Sequence, residues 1–106
     1  NNLPDAIFAV NDRLAVSAMR TAKKLDFKIP DDISIIGFDD EPHSSYFTPP
    51  LSSVWQPVYS MGMLSVRILL QEIKEESTQF RNEIFKTELV IRGTSRKIET
   101  KKDFQN

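Results

Sequence analysis

The stretch Ile33-Ser34-Ile35-Ile36-Gly37-Phe38-Asp39-Asp40 decides the fold predicted for this chain. Apolar and β-branched residues lead into a glycine and then into two carboxylates, a pattern typical of a buried strand that ends at the edge of a binding crevice. We therefore expect any binding chemistry at Asp39. The residues before it are expected to form a strand and a helix beside this strand, and the residues after it are expected to lead away from it.

The residues before this stretch predict a strand, a turn and a helix. The run from Ala6 to Val10 is short and continuously apolar, as expected for a strand covered on both faces in a parallel sheet. Asn11 and Asp12 end this strand, and either side chain can accept hydrogen bonds from free amides at a helix start. Apolar residues at helical spacing follow: Leu14, Ala15, Ala18, Met19, Ala22 and Leu25. Residues 6–38 therefore predict a βαβ crossover.

The residues after Asp40 predict a loop, a strand, a helix and a last strand. Prolines limit residues 41–50 to at most one short helical turn. A strand is predicted over 51–56, a helix from Val58 to about Glu75, and a strand over 84–91. The helix from Val58 has apolar residues on more than one side, so other parts of a protein must pack against two of its sides.

The order β-α-β-loop-β-α-β predicts an α/β fold with a parallel sheet. Two main helices leave at least one face of that sheet thinly covered. We infer that the chain is a piece of a longer polypeptide, or that it completes itself with a second copy.

Composition excludes several classes of function. The chain has 106 residues, 14 basic and 15 acidic side chains and a net charge of −1, so no overall positive field favours nucleic acid binding. It has no cysteine, which removes disulfides, zinc ribbons and thiol nucleophiles. No apolar stretch is long enough to span a membrane, and no signal peptide opens the chain, so a soluble chain is expected. With only three glycines and no nucleophile elbow, phosphate loop or metal cluster, we expect no enzyme, no cofactor and no metal.

Four separated motifs carry a family resemblance. They are Ala6-Ile7-Phe8-Ala9-Val10-Asn11-Asp12, Ile29-Pro30-Asp31-Asp32-Ile33-Ser34-Ile35-Ile36-Gly37-Phe38-Asp39-Asp40, Thr48-Pro49-Pro50-Leu51-Ser52-Ser53-Val54-Trp55-Gln56-Pro57 and Val90-Ile91-Arg92-Gly93-Thr94-Ser95. In order and spacing they resemble the C-terminal part of the effector-binding domain of a LacI/GalR-type bacterial transcription regulator. Periplasmic sugar-binding proteins share the Asn11-Asp12 and Gly37-Phe38-Asp39 elements, whereas the run from Pro49 to Pro57 and the late Arg92-Gly93-Thr94-Ser95 look like the regulators.

The resemblance implies a two-lobed, periplasmic-binding-protein-like (type I) fold with a small-molecule effector, expected to be a carbohydrate, between the lobes. It implies that residues 1–57 belong to the C-terminal lobe, that 58–84 are a helix and connection packed on the N-terminal lobe, and that 85–95 are a returning strand. Residues 96–106 are expected to be a polar tail because their charges are mixed in sign. It also implies a cytoplasmic homodimer that binds DNA through a helix-turn-helix domain absent from this chain. The alternative is a periplasmic sugar-binding protein of a transporter or chemoreceptor.

By similarity, Asn11, Asp39 and Gln56 match positions that contact the ligand in family members. A carboxylate accepts two hydroxyl hydrogen bonds, and side-chain amides both donate and accept, so this set suits a polyol. In the family, the first helix of this region and the loop before Pro49 lie at the subunit interface. This nominates three interface residues: Val16, Arg20 and Phe47.

Each assignment has a plainer alternative. Asn11 and Asp12 are both candidates for the helix cap; with the resemblance we favour Asp12 as cap and Asn11 as ligand group. Asp39 and Asp40 are solvated loop acids in one reading and a catalytic carboxylate pair in another. His43 is the only histidine, and a lone histidine in a proline-rich loop is more often surface than metal ligand. The Trp55 ring could stack on a sugar ring, or it could pack in the core or at an interface. The alternative for Phe47 is a side chain that anchors its own loop by packing.

Overall fold

The computed structural model describes residues 2–75 and 80–97, with side chains described to residue 74 in the first range. Its elements are β1 (Ala6–Phe8), α1 (Asp12–Lys24), β2 (Ser34–Asp39), a 3-10 helix (Pro42–Tyr46), β3 (Ser52–Trp55), α2 (Val58–Glu75) and β4 (Glu88–Val90). The element order agrees with the prediction. The strands predicted over 51–56 and 84–91 are shorter than expected, and most of the predicted tail, from residue 98 onward, lies outside the described residues.

The four strands form one sheet in the order β1-β2-β3-β4. β1 pairs with β2 in parallel, as predicted from the crossover, and β2 also pairs with β3 in parallel. β4 runs antiparallel to β3, with Ser53 opposite Val90. The sheet is therefore mixed, because the last strand runs back along β3 in the opposite direction.

Helix α1 covers one face of the sheet. Its buried side chains include Ala15 and Met19, which pack with Ile35 of β2 and with Leu51 just before β3. Alanine at position 15 brings the helix close to the sheet, and its side chain is fully buried. Burial of side chains such as Ile35 and Met19 stabilises the fold by about 1.5–3 kcal/mol each.

The opposite face of the sheet is largely bare. The alternation along each strand places Phe8, Phe38, Val54 and Leu89 on this face, away from Ile35 and α1. Phe8 is 65% and Leu89 55% exposed. The predicted thin cover over one face of the sheet is confirmed.

Helix α2 also lacks cover. No side chain described in α2 is buried, and Met61, Leu64 and Ile68 line one open cavity together with Arg81 and Phe85. Exposed apolar residues run along the rest of the helix: Val58, Tyr59, Met63, Val66, Leu69, Leu70 and Ile73. The predicted shortage of apolar partner surface is therefore observed within the part of the chain that the structure describes. None of the helices in that part is long and apolar enough to cross a membrane.

Candidate functional site

The predicted ligand residues lie at one edge of the sheet. Asp39 is the last residue of β2, Gln56 follows β3 directly, and Asn11 lies three residues after β1. Since the three strands are parallel neighbours, their carboxyl ends meet at this edge. The Nε2 amide of Gln56 donates to Oδ1 of Asp39 at 2.7 Å, so the structure brings these two side chains into direct contact.

Asn11 caps helix α1. Its backbone is extended, with φ −154° and ψ 170°, and its Oδ1 accepts the N–H of Leu14 at 2.9 Å. The preference for Asp12 as the cap is wrong, because Asp12 is already helical and its side chain turns into the interior. With Oδ1 engaged in the cap, the Nδ2 amide of Asn11 is the group through which this residue can donate to a ligand.

The two carboxylates at the end of β2, Asp39 and Asp40, have an unusual backbone conformation. Asp39 has φ 108° and Asp40 φ 50°, both in the left-handed region that L-residues rarely adopt. Each such conformation costs on the order of 1–3 kcal/mol and persists only where its surroundings hold it. We call these two residues the Asp39–Asp40 turn.

The Asp39–Asp40 turn sends its two carboxylates to different partners. Asp39 accepts from Gln56, whereas Oδ1 of Asp40 forms an ion pair with Nη1 of Arg92 at 2.7 Å. The same Nη1 donates to the carbonyl of Leu51 at 2.8 Å, which fixes the guanidinium beneath the turn. Separate partners disfavour the alternative of a catalytic carboxylate pair.

A buried carboxylate lies behind the turn. Asp12 is only 2% exposed, and its oxygens accept from the backbone N–H of Glu41 at 2.8 Å, from the Ser53 hydroxyl at 2.5 Å and from the Ser44 hydroxyl. The Ser53 oxygen in turn accepts the N–H of Asp40 at 3.0 Å. The sequence did not predict this cluster, since the donors to Asp12 lie 29 to 41 residues after it along the chain and no local pattern marks them.

Residue Thr94, in the last motif of the chain, bonds to the N-terminal ends of two strands. Thr94 is fully buried; its hydroxyl donates to the carbonyl of Ile35 at 2.6 Å and accepts the N–H of Ser52 at 2.8 Å. The carbonyl of Thr94 accepts the N–H of Ile35 at 2.8 Å. Thr94 therefore bridges β2 and β3 at the end of the sheet opposite the ligand residues.

The remaining candidates for a ligand or metal site are Trp55 and His43. Trp55 is 39% exposed and lies opposite Asp39 in the strand register, which puts it at the same edge. His43 is exposed in the 3-10 helix, and within residues 2–75 and 80–97 no three histidine or acidic side chains are grouped for a metal ion.

Two of the predicted interface residues are neighbours. Val16 and Phe47 line one shallow groove of about 220 Å³, while Arg20 is exposed further along α1. Phe47 is half-buried and also packs against the core cluster, so it fits the loop-anchor alternative as well.

Comparison with known proteins identifies the family. Residues 1–95 match the family model of the periplasmic binding protein-like domain, and the chain belongs to this family. The transcriptional regulator MalR of Streptomyces coelicolor is 39% identical over 90 residues, which are 85% of this chain and 26% of MalR. The probable repressor ExuR of Bacillus subtilis is 39% identical over 99 residues, 93% of this chain and 30% of ExuR.

Solved structures agree with these relatives. A CelR–cellobiose complex matches with a TM-score of 0.81 at 31% identity, covering 86% of this chain and 28% of that one. A lac repressor dimer bound to operator and an anti-inducer matches with a TM-score of 0.79 at 33% identity, covering 88% and 32%. The chain is thus part of the effector-binding domain of a LacI/GalR-type regulator, as the motifs indicate, and spans about a quarter to a third of the length of these relatives.

Proposed function

We propose that this chain is the sugar-contacting part of a cytoplasmic transcription regulator, in which a carbohydrate closes two lobes and so controls DNA binding by a helix-turn-helix domain outside this chain. The observation that carries the proposal is the Asp39–Gln56 pair on a strained turn at the carboxyl edge of the sheet. In this role the chain binds its ligand and performs no catalysis.

The chemistry of the pair favours a polyol. Gln56 uses one N–H on Asp39 and retains a second N–H and a carbonyl, while Asp39 retains acceptor positions on both oxygens. Sugar hydroxyls are both donors and acceptors, so they can bond to either kind of group. The Nδ2 amide of Asn11 adds a donor at the same edge, and Trp55 offers an aromatic face for a sugar ring.

Structures of relatives support the ligand class. One relative is described as a cellobiose complex, and LacI-family regulators from Enterococcus faecium and Lactobacillus casei are described with bound ribose and sucrose. The names of the relatives favour a regulator over a transporter binding protein.

The bare surfaces support the division into lobes. In the proposal, residues 1–57 belong to one lobe, 58–84 pack on the other lobe, and 85–95 return to the first. The exposed apolar stripe of α2 is the surface that the second lobe would cover. The regulator is proposed to be a homodimer with α1 and Phe47 at its interface.

The test is a thermal-shift measurement on the full-length protein with D-ribose, D-glucose, sucrose and cellobiose. A sugar that binds only the folded state stabilises it by about 2.7 kcal/mol at one hundred times its dissociation constant, which raises the melting temperature. Asp39→Ala should abolish the shift and leave operator binding intact. Asp31→Ala, at an exposed loop position, is the matched control. Retention of the shift in Asp39→Ala would contradict the proposed site.

A further inference from the structure

Asp12 is a buried charge outside the set of ligand residues. A carboxylate at 2% exposure is rare unless its oxygens are fully bonded. Its donors come from two segments far from Asp12 in the sequence: Ser53 on β3, and the 3-10 helix region, which supplies the Ser44 hydroxyl and the backbone N–H of Glu41. This convergence is more than a helix start requires, because Asn11 already caps α1.

The donor and acceptor roles of the Ser53 hydroxyl are fixed by its two partners. It has a single hydrogen, which it donates to Oδ1 of Asp12, so its lone pair accepts the N–H of Asp40. The next amide, that of Glu41, donates directly to Oδ2 of Asp12. Asp12 therefore holds two consecutive amides, one through Ser53 and one directly, immediately after Asp39.

We propose that Asp12 is a positioning residue for ligand binding: its buried carboxylate holds the Asp39–Asp40 turn in the left-handed conformation that presents Asp39 to the sugar. The inference rests on the proposed function in that Asp39 is taken as the ligand contact. A backbone with positive φ at two successive aspartates needs restraint from outside the turn. Arg92 restrains the Asp40 carboxylate, and Asp12 restrains the backbone.

The first test is amide hydrogen exchange of the full-length protein without ligand. Asp12→Asn keeps the shape of the side chain but places an NH₂ group among three donors. Exchange at the amides of Asp40 and Glu41 should accelerate by about tenfold or more, while that of Met19 in the centre of α1 serves as the reference for global unfolding. Unchanged exchange at both amides would overturn the proposal.

The second test is sugar affinity, measured by calorimetry with whichever of D-ribose, D-glucose, sucrose and cellobiose binds the wild type. Asp12→Asn should weaken binding by about tenfold, the value of one hydrogen bond to a charged group. Ser53→Ala, a milder change, should act in the same direction if Asp12→Asn does not fold. Asp31→Asn, an exposed acid, should change nothing.

The affinities of the variants distinguish the ligand role of Asp39 from the positioning role of Asp12. Full affinity in Asp39→Ala would reject the proposed site itself. Lost affinity in Asp39→Ala with wild-type affinity in both Asp12→Asn and Ser53→Ala would reject only the positioning role. If none of the four sugars binds the wild type, unchanged exchange at Asp40 and Glu41 in Asp12→Asn still overturns the role of Asp12 in holding the turn.

Discussion

A Cβ atom on Gly37 would lie 2.2 Å from Oδ1 of Asp12. The glycine has no positive φ, so the position requires it for space rather than for backbone freedom. Ala15 of α1 also lies within 3.3 Å of the same point. The strand thus leaves room for the buried carboxylate at the point where α1 approaches the sheet closely.

Gly37→Ala should destabilise the protein by about 1–3 kcal/mol, because the new methyl group displaces either Asp12 or α1. Urea denaturation measures the change in the free energy of unfolding. Equal stability of Gly37→Ala and the wild type would contradict the packing described for Asp12.

Substitutions at Asn11 should separate capping from ligand binding. Asn11→Ala loses the bond to the Leu14 amide and should cost about 1 kcal/mol in stability as well as affinity. Asn11→Asp keeps the acceptor, and its charge suits a helix N-terminus, so stability should be retained while the Nδ2 donor is lost. Denaturation and sugar titration of both variants check this; wild-type affinity in Asn11→Asp would remove Asn11 from the ligand site.

The ion pair between Arg92 and Asp40 should contribute to stability beyond that of a surface pair. Both side chains are mostly buried, with 21% and 13% exposure. Arg92→Met should cost about 1.5–3 kcal/mol, since Asp40 and the Leu51 carbonyl both lose a charged donor. Arg81→Met, at an exposed arginine bonded to Gln71, should stay within about 0.5 kcal/mol. A double-mutant cycle with Asp40→Asn isolates the pair, and additive effects would refute the coupling.

The proposed dimer interface is tested by charge reversal on α1. Arg20→Glu leaves the core untouched because Arg20 is exposed, and it should shift sedimentation of the full-length protein from dimer towards monomer. Phe47→Asp should do the same, but its melting temperature must be followed because Phe47 packs against the core. Lys24→Glu, exposed at the end of the same helix, is the control. An unchanged mass in both interface variants would place the interface elsewhere.

The sequence predicted those features that depend on neighbouring residues. The apolar run before Gly37 and the helical spacing after Asp12 are local patterns, and both elements formed as predicted. The apolar surface of α2 was likewise enough to predict a helix without cover. The order of the motifs was enough to indicate the family.

Features that depend on distant residues were missed. The choice between Asn11 and Asp12 as cap depends on Ser44 and Ser53, which draw the Asp12 carboxylate inward from 32 and 41 residues away. The direction of β4 depends on where its chain returns to β3, and its short sequence carries no mark of direction. The left-handed turn at Asp39 depends on the same long-range bonds, since aspartate alone does not require it.

The bridge made by Thr94 has a consequence for synthesis on the ribosome. Thr94 leaves the ribosome 59 residues after Ile35. At a synthesis rate of about 5–20 residues per second, the delay between Ile35 and the residue that completes its hydrogen bonds is about 3–12 s. In that interval the nascent strand offers an unpaired amide and carbonyl at Ile35 to chaperones or to other nascent chains. A stop codon in place of Arg92 would therefore leave every described helix and strand encoded but would remove Thr94. The N–H and C=O groups of Ile35 in β2 would then permanently lack their partner.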